Sequence, residues 1–191
     1  MRLLAIAGSI RATSSNAALL RAVARMAPSG VVVEVYDGVP RLPHFSPDLD
    51  VEPVPDTVVA LRAAIGACDG IVIATPEYAH GMPGALKNAL DWLVSASEPI
   101  DMPVLLISAS PGGAGHAHAQ FSEVLRTMSM RLVDGGAHVF SRARLGPDGE
   151  VSDEALLAAL RLGLARLVEL AGAPPSADDK RIELAPIDRD A

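Results

Sequence analysis

Short apolar runs alternate along this chain with longer segments whose apolar residues recur every three to four positions, and that alternation limits the fold more than any other feature. "RLLAIA" (2–7), "VVVEVYD" (31–37), "GIVIAT" (70–75), "PVLLISA" (103–109) and "AHVFS" (137–141) read as strands. Helical periodicity fills 16–27, 56–68, 83–96, 116–130 and 152–172. Strands separated by helices cannot pair as hairpins. They pair in parallel through crossovers, which leaves helices on both faces of the sheet. The fold class is therefore α/β, a parallel sheet sandwiched between helical layers. With 191 residues, one domain is expected over 1–172, followed by a polar, proline-bearing tail over 173–191. That tail is expected to be mobile or to dock on a partner subunit.

Local signals punctuate the pattern. Pro28 and Gly30 close the first helix, Asp56 is the expected N-cap of the second, Pro83 opens the third, and Ser152 or Asp153 caps the last. Residues 38–55 hold five prolines and read as a long surface loop. Half of the residues are apolar but only 3% are aromatic, so Val, Leu, Ile and Ala must fill the core. The net charge of −7, with no Lys/Arg run longer than a pair, argues against a nucleic-acid surface. Cys68 has no internal disulfide partner and reads as a small buried hydrophobe in a reducing compartment. No apolar run approaches the ~20 residues of a membrane span, and "MRLLAIAGS" is too short for a signal peptide. A soluble cytoplasmic protein is expected.

In an open parallel sheet, ligands bind outside the carboxyl ends of the strands, where strand order reverses. The segments after the first, third and fourth strands are "GSIRATSSN" (8–16), "TPEYAHGMPG" (75–84) and "SASPGGAGHAHAQ" (108–120). All are rich in glycine, proline and small polar residues, and all fall at one sheet edge. The first combines Ser9, Arg11, Thr13, Ser14, Ser15 and Asn16 with a helix N-terminus. Hydroxyls, an amide, a guanidinium and a helix dipole together suit a terminal phosphate. An ordinary capped helix start, with Ser14 or Ser15 as the cap, needs only one of those hydroxyls. Neither G-x-G-x-x-G nor G-x-x-x-x-G-K-[ST] occurs after the first strand, so dinucleotide and P-loop fingerprints are missing.

In the second loop, Tyr78 and main-chain amides suit a flat heterocycle, while Glu77 reads as an anchor for a loop rather than a base. In the third, Ser110, Gly112, Gly113 and Gly115 let backbone approach such a ligand closely. His116 and His118, at i,i+2 on a helix, point to different faces and make no metal site. Lys87 and Asp91 form an i,i+4 surface pair, and Trp92 belongs to the core or to a subunit contact.

These segments resemble the NAD(P)H-dependent FMN reductases, a flavodoxin-like family that includes quinone, chromate and azo-dye reductases. "GSIRATSSN" is similar to that family's G-S-x-R-x-x-S-x-N phosphate loop, and "TPEYAHGMPGALKNALDW" to its T-P-E-Y-N-x-x-x-P-G-x-L-K-N-x-x-D-W segment. The glycine-rich third loop, closed by Gln120, resembles the one beside the pyrimidine side of the flavin. The resemblance implies a three-layer sandwich with strand order 2-1-3-4-5. It implies FMN as cofactor and NAD(P)H as electron donor. Ser9, Arg11, Ser14, Ser15 and Asn16 then surround the phosphate, Pro76, Glu77 and Tyr78 the ring, and Ser110, Gly112, Gly113 and Gly115 its other side. It further implies a small electron acceptor such as a quinone, and a homodimer or homotetramer. Ala79 departs from the family's asparagine, which removes a polar contact to the flavin, and His116 and His118 stand where Gly and Arg are frequent.

The implied chemistry resides in the cofactor, so no side chain is named as catalytic, although His80 is placed to assist protonation of the acceptor. Two other readings are weighed. One is a non-enzymatic FMN-binding carrier or regulator, against which Arg11 counts. The other is a dehydrogenase that binds its nucleotide directly, with Asp37 on the ribose.

Overall fold

The computed structural model describes residues 1–11, 14–110, 114–133 and 150–174. In chain order the elements are β1 (Arg2–Ala7), α1 (Ser15–Arg25), β2 (Val32–Tyr36), α2 (Asp56–Gly66), β3 (Gly70–Ala74), α3 (Gly84–Asp91), β4 (Pro103–Ile107), α4 (Gly115–Thr127), β5 (Arg131–Leu132) and α5 (Glu154–Gly172). The strands form one parallel sheet in the order β2-β1-β3-β4-β5. This is the flavodoxin-like arrangement. β3 and β4 are buried along their whole length, as a sheet covered on both faces requires.

Side chains alternate across the sheet and sort the helices into two layers. Leu4, Ile6, Ile71, Ile73, Val104 and Leu106 face α2, α3 and α4, where Val58, Leu61, Ile65, Leu86, Leu90, Phe121 and Leu125 meet them. Leu3, Ala5, Val72, Ala74, Leu105 and Ile107 face α1 and α5, where Leu19, Leu20, Val23, Leu156, Leu160, Leu164 and Leu167 close the other side. β1 leads outward through α1 to β2, while β3 leads the other way to β4. Strand order therefore reverses between β1 and β3, and a crevice opens at their carboxyl ends.

Several boundaries differ from the sequence reading. The fifth strand, expected at 137–141, is found at Arg131–Leu132, and 137–141 lies outside the described residues. The helix expected to run to 130 ends at Thr127 because Ser129 turns left-handed (φ 58°). The Met130 and Ser129 amides then bond back to the Leu125 and Arg126 carbonyls at 2.9 and 2.8 Å. That is a Schellman stop, which usually carries glycine at the position of Ser129, so no glycine marks it in the sequence. Asp56 is the first residue of α2 rather than its cap, and its carboxylate lies in the first turn, where the helix dipole favours it. Ser14 caps α1 and Asp153 caps α5. The tail lies outside the described residues from 175 onward.

α3 ends at Asp91, and Arg62 of α2 takes the Trp92 carbonyl that the helix end leaves open, with Nε at 3.1 Å and Nη2 at 2.7 Å. Arg62 also pairs with Asp50 at 2.8 Å, and Ser95 donates to the same carboxylate. These contacts hold Asp50 well below the usual carboxylate range, the Ser95 hydroxyl first and Arg62 second. The proline-rich segment is thus pinned down. Asn88 donates to the Pro43 carbonyl at 2.9 Å and accepts from the Phe45 amide at 2.8 Å. Trp92, with 0% of its surface exposed, donates its indole N–H to Pro43 at 2.8 Å. It is a core residue of the single chain and not itself a subunit contact.

Candidate functional site

β1 is followed by Gly8, whose amide bonds to the Ala74 carbonyl of β3 at 2.8 Å. A Cβ there would meet Leu86 Cδ2 at 2.8 Å and Thr75 Oγ1 at 3.1 Å, so only glycine lets the following loop start this close to β3. Ser9 is buried, and its hydroxyl lies 3.5 Å from the Tyr78 hydroxyl across the crevice. Ser14 accepts the Ala17 amide at 3.4 Å and keeps its own O–H to donate. The cap therefore does not exhaust the loop: the Ser15 and Asn16 amides of α1 have no intrahelical acceptor, and no acidic residue stands in that turn. Arg11 is exposed, and among the described residues nothing pairs with its guanidinium.

Asn16 has a different task from the one the resemblance implies by itself. It is 2% exposed, accepts the Ala109 amide at 2.8 Å and donates to the Ala109 carbonyl at 3.5 Å. Its side chain binds the first loop to the third, while its backbone amide remains one of the open donors of the helix end.

After β3, Tyr78 and Gly81 exchange hydrogen bonds at 3.0 and 2.9 Å around Ala79 and His80, both left-handed (φ 49° and 59°). This is a two-residue turn of the I′ kind, whose first central position favours asparagine. The break from the family pattern at Ala79 is thus a backbone matter as well. Ala79→Asn is expected to raise stability by about 0.5–1 kcal/mol, part of the ~1–2 kcal/mol left-handed penalty. Ala79 is exposed, so the larger side chain has room. A lower melting temperature in the asparagine variant would refute the turn's role.

Glu77 acts as the anchor expected of it. Its Oε2 accepts the Ala117 amide of α4 at 3.0 Å. The Ala117 and His116 amides, with the charges of His116 and His80, hold its carboxyl below the usual range. A depressed carboxyl stabilises the fold at pH above its unfolded value, and that contribution is lost as pH falls through the folded value. Gln120 of α4 accepts the Met82 amide at 3.0 Å and ties down the far end of the same turn.

Ser9, Arg11, Ser14, Ser15, Asn16, Pro76, Glu77, Tyr78, Ala109 and Ser110 line one cleft. Of the residues expected at the site, Gly112 and Gly113 lie outside the described residues, and Gly115 opens α4 just beyond the cleft. Ala109 was read as the last residue of the fourth strand and not as a site residue, whereas β4 ends at Ile107 and leaves Ala109 in the loop. His116 is exposed and His118 buried on α4, as their spacing required. Among the described residues no group of three His, Cys, Asp or Glu side chains is arranged to hold a metal ion. Asp37, just after β2, is exposed and pairs with Arg41 at 2.9 Å, and the loop after β1 lacks the glycine fingerprint that the dehydrogenase reading needs. Lys87 and Asp91 form the expected i,i+4 pair.

The sequence profile of the NADPH-dependent FMN reductases matches residues 1–144. The chain belongs to this family. As an FMN reductase it is similar to the NADH:(hydroxy)cinnamate reductase subunit CrdA of Vibrio ruber, at 35% identity over 167 residues, or 84% of this chain and 82% of that one. It is 36% identical over 124 residues to a quinone reductase of Escherichia coli K12, covering 63% of this chain and 66% of that protein. Among solved structures, the FerB flavoenzyme NAD(P)H:(acceptor) oxidoreductase of Paracoccus denitrificans superposes with a TM-score of 0.77 and 26% identity, covering 89% of this chain and 96% of that one. No helix among the described residues is long and apolar enough to cross a membrane.

The donor set fits FMN. A terminal phosphate, nearly a dianion, needs several hydrogen-bond donors and a cation. The cleft offers the Ser9, Ser14 and Ser15 hydroxyls, the open amides of α1 and the unpaired Arg11.

Proposed function

We propose that this FMN reductase holds the FMN phosphate with Ser9, Arg11, Ser14, Ser15 and the N-terminal amides of α1. The ring then rests on the Pro76–Tyr78 wall and on the loop from Ser110 through Gly112 and Gly113 to Gly115. Bound there, FMN supplies two-electron transfer from NAD(P)H to a small acceptor of the quinone class. The protein's own contribution is position and access. Arg11 and α1 fix the phosphate end, Asn16 fixes the spacing of two walls, and Glu77 and Gln120 hold the third against α4. One observation carries the reading: residues from three separate loops converge on one cleft around an unpaired guanidinium.

The quinone class rests on the relatives' names, since quinone reductases recur among them. A homodimer or homotetramer is the assembly the family resemblance implies, and Val59, Val94 and Ile100, at 52%, 67% and 53% exposed, are apolar side chains open to a partner. A cytoplasmic site agrees with the free, half-buried Cys68, and no nucleic-acid partner is proposed. Visible spectroscopy after incubation with FMN and desalting, followed by NADH and NADPH oxidation with a quinone, tests the reading. A retained flavin spectrum with quinone-dependent oxidation is expected. A colourless protein would reject the cofactor site, and a yellow protein without oxidation would leave an FMN-binding carrier. Light scattering of the same sample should give a mass above the 19.8 kDa chain.

A further inference from the structure

The turn at Tyr78–Gly81 is joined to α4 by contacts of unlike chemistry. The Glu77 carboxylate and the Gln120 amide oxygen accept backbone N–H groups and are insensitive to pH near neutrality. Between them the imidazoles of His80 and His116 lie face to face, with centroids 4.4 Å apart and planes within 7°. Both residues are exposed, so protons exchange with solvent without any opening of the fold. His80 reaches its partner from a left-handed backbone, a conformation that costs energy and persists because its surroundings hold it.

We propose that the stacked His80–His116 pair is a positioning device of the cofactor site. With at most one proton it clamps the Glu77–Tyr78 wall to α4, and with two protons the clamp opens and FMN is held less tightly. The inference rests on the FMN site proposed above. Imidazole changes its charge between about pH 5 and 8. A single imidazolium over a neutral ring meets no like charge, and the Glu77 carboxylate lies close by on the Ala117 amide next to His116. A second proton places two cations face to face, and one carboxylate cannot offset both. Among the described residues no other contact brings a charge to the pair. Tyr78 directs its hydroxyl to Ser9, His118 is buried on the other face of α4, and the first ionisable side chain of α3, Lys87, is paired with Asp91. Glu77 and Tyr78 line the cleft, so loosening this turn moves a cofactor wall.

The test is FMN affinity, read by fluorescence quenching, at about pH 7.5 and about pH 5.5, on either side of the imidazole range. Wild type is compared with His116→Phe, which keeps a flat ring without charge, and with His80→Asn, which tolerates the left-handed backbone. Melting of each apoprotein establishes that it is folded, and either variant suffices for the comparison. The FMN phosphate takes up its own proton in this range, equally in all three proteins. The ratio of the two dissociation constants is expected to be about fivefold larger in wild type than in the variants, the scale of an exposed charge pair. Equal ratios in wild type and a folded variant overturn the clamp and leave the cofactor site standing. Failure of wild type to bind FMN at either pH overturns the cofactor site itself, and the clamp with it.

Discussion

Arg11→Ala is expected to raise the dissociation constant for FMN about 10- to 150-fold, corresponding to the ~1.5–3 kcal/mol of a hydrogen bond to a charged group. The residue sits at the cleft with a guanidinium that nothing among the described residues engages, so it is available to a ligand and its loss leaves no buried partner exposed. The effect should be specific to the phosphate. Riboflavin, which lacks it, should bind both proteins alike. Raising the salt concentration should weaken FMN binding to wild type more than to the variant, because screening acts on the charge pair. Arg11→Lys keeps the charge but loses the forked donor geometry, and should fall between the two. Fluorescence titration of apoprotein measures all of this. An FMN affinity that does not change in folded Arg11→Ala would remove Arg11 from the phosphate site.

Trp92→Ala is expected to destabilise the fold by about 3–5 kcal/mol, the range for truncating a buried aromatic. The side chain is fully enclosed and meets Phe45 edge-on, with centroids 5.2 Å apart and planes at 87°. Its loss leaves a cavity beneath the proline-rich segment and frees the hold on Phe45. The Pro43 carbonyl loses one donor but keeps Asn88. Trp92→Phe, which retains most of the packing, should therefore cost far less. In urea titrations the midpoints should fall in the order wild type, Trp92→Phe, Trp92→Ala. A loss below about 1 kcal/mol for Trp92→Ala would mean that the indole is not the pin described above.

The alternation of apolar runs and helical periodicity determined the layer architecture, because strands joined through helices pair in parallel as crossovers. The loop chemistry was equally legible. Arg11 beside Ser9 and Ser14, and a Pro-Glu-Tyr run after a buried strand, are local patterns, and local patterns survive in a one-dimensional string. What the sequence could not carry was any property set by a distant partner. The end of α4 depends on Ser129 adopting a backbone usually given to glycine, which tertiary packing enforces and propensity does not announce. The carbonyl left open at the end of α3 is satisfied by Arg62, 30 residues away. Asn16 looked like a phosphate ligand by position, yet its amide is committed to Ala109, 93 residues on. His80 and His116 gave no sign of each other, since one lies in a turn after β3 and the other on α4. Only the sheet order, which brings those two loops to the same edge, sets their rings face to face.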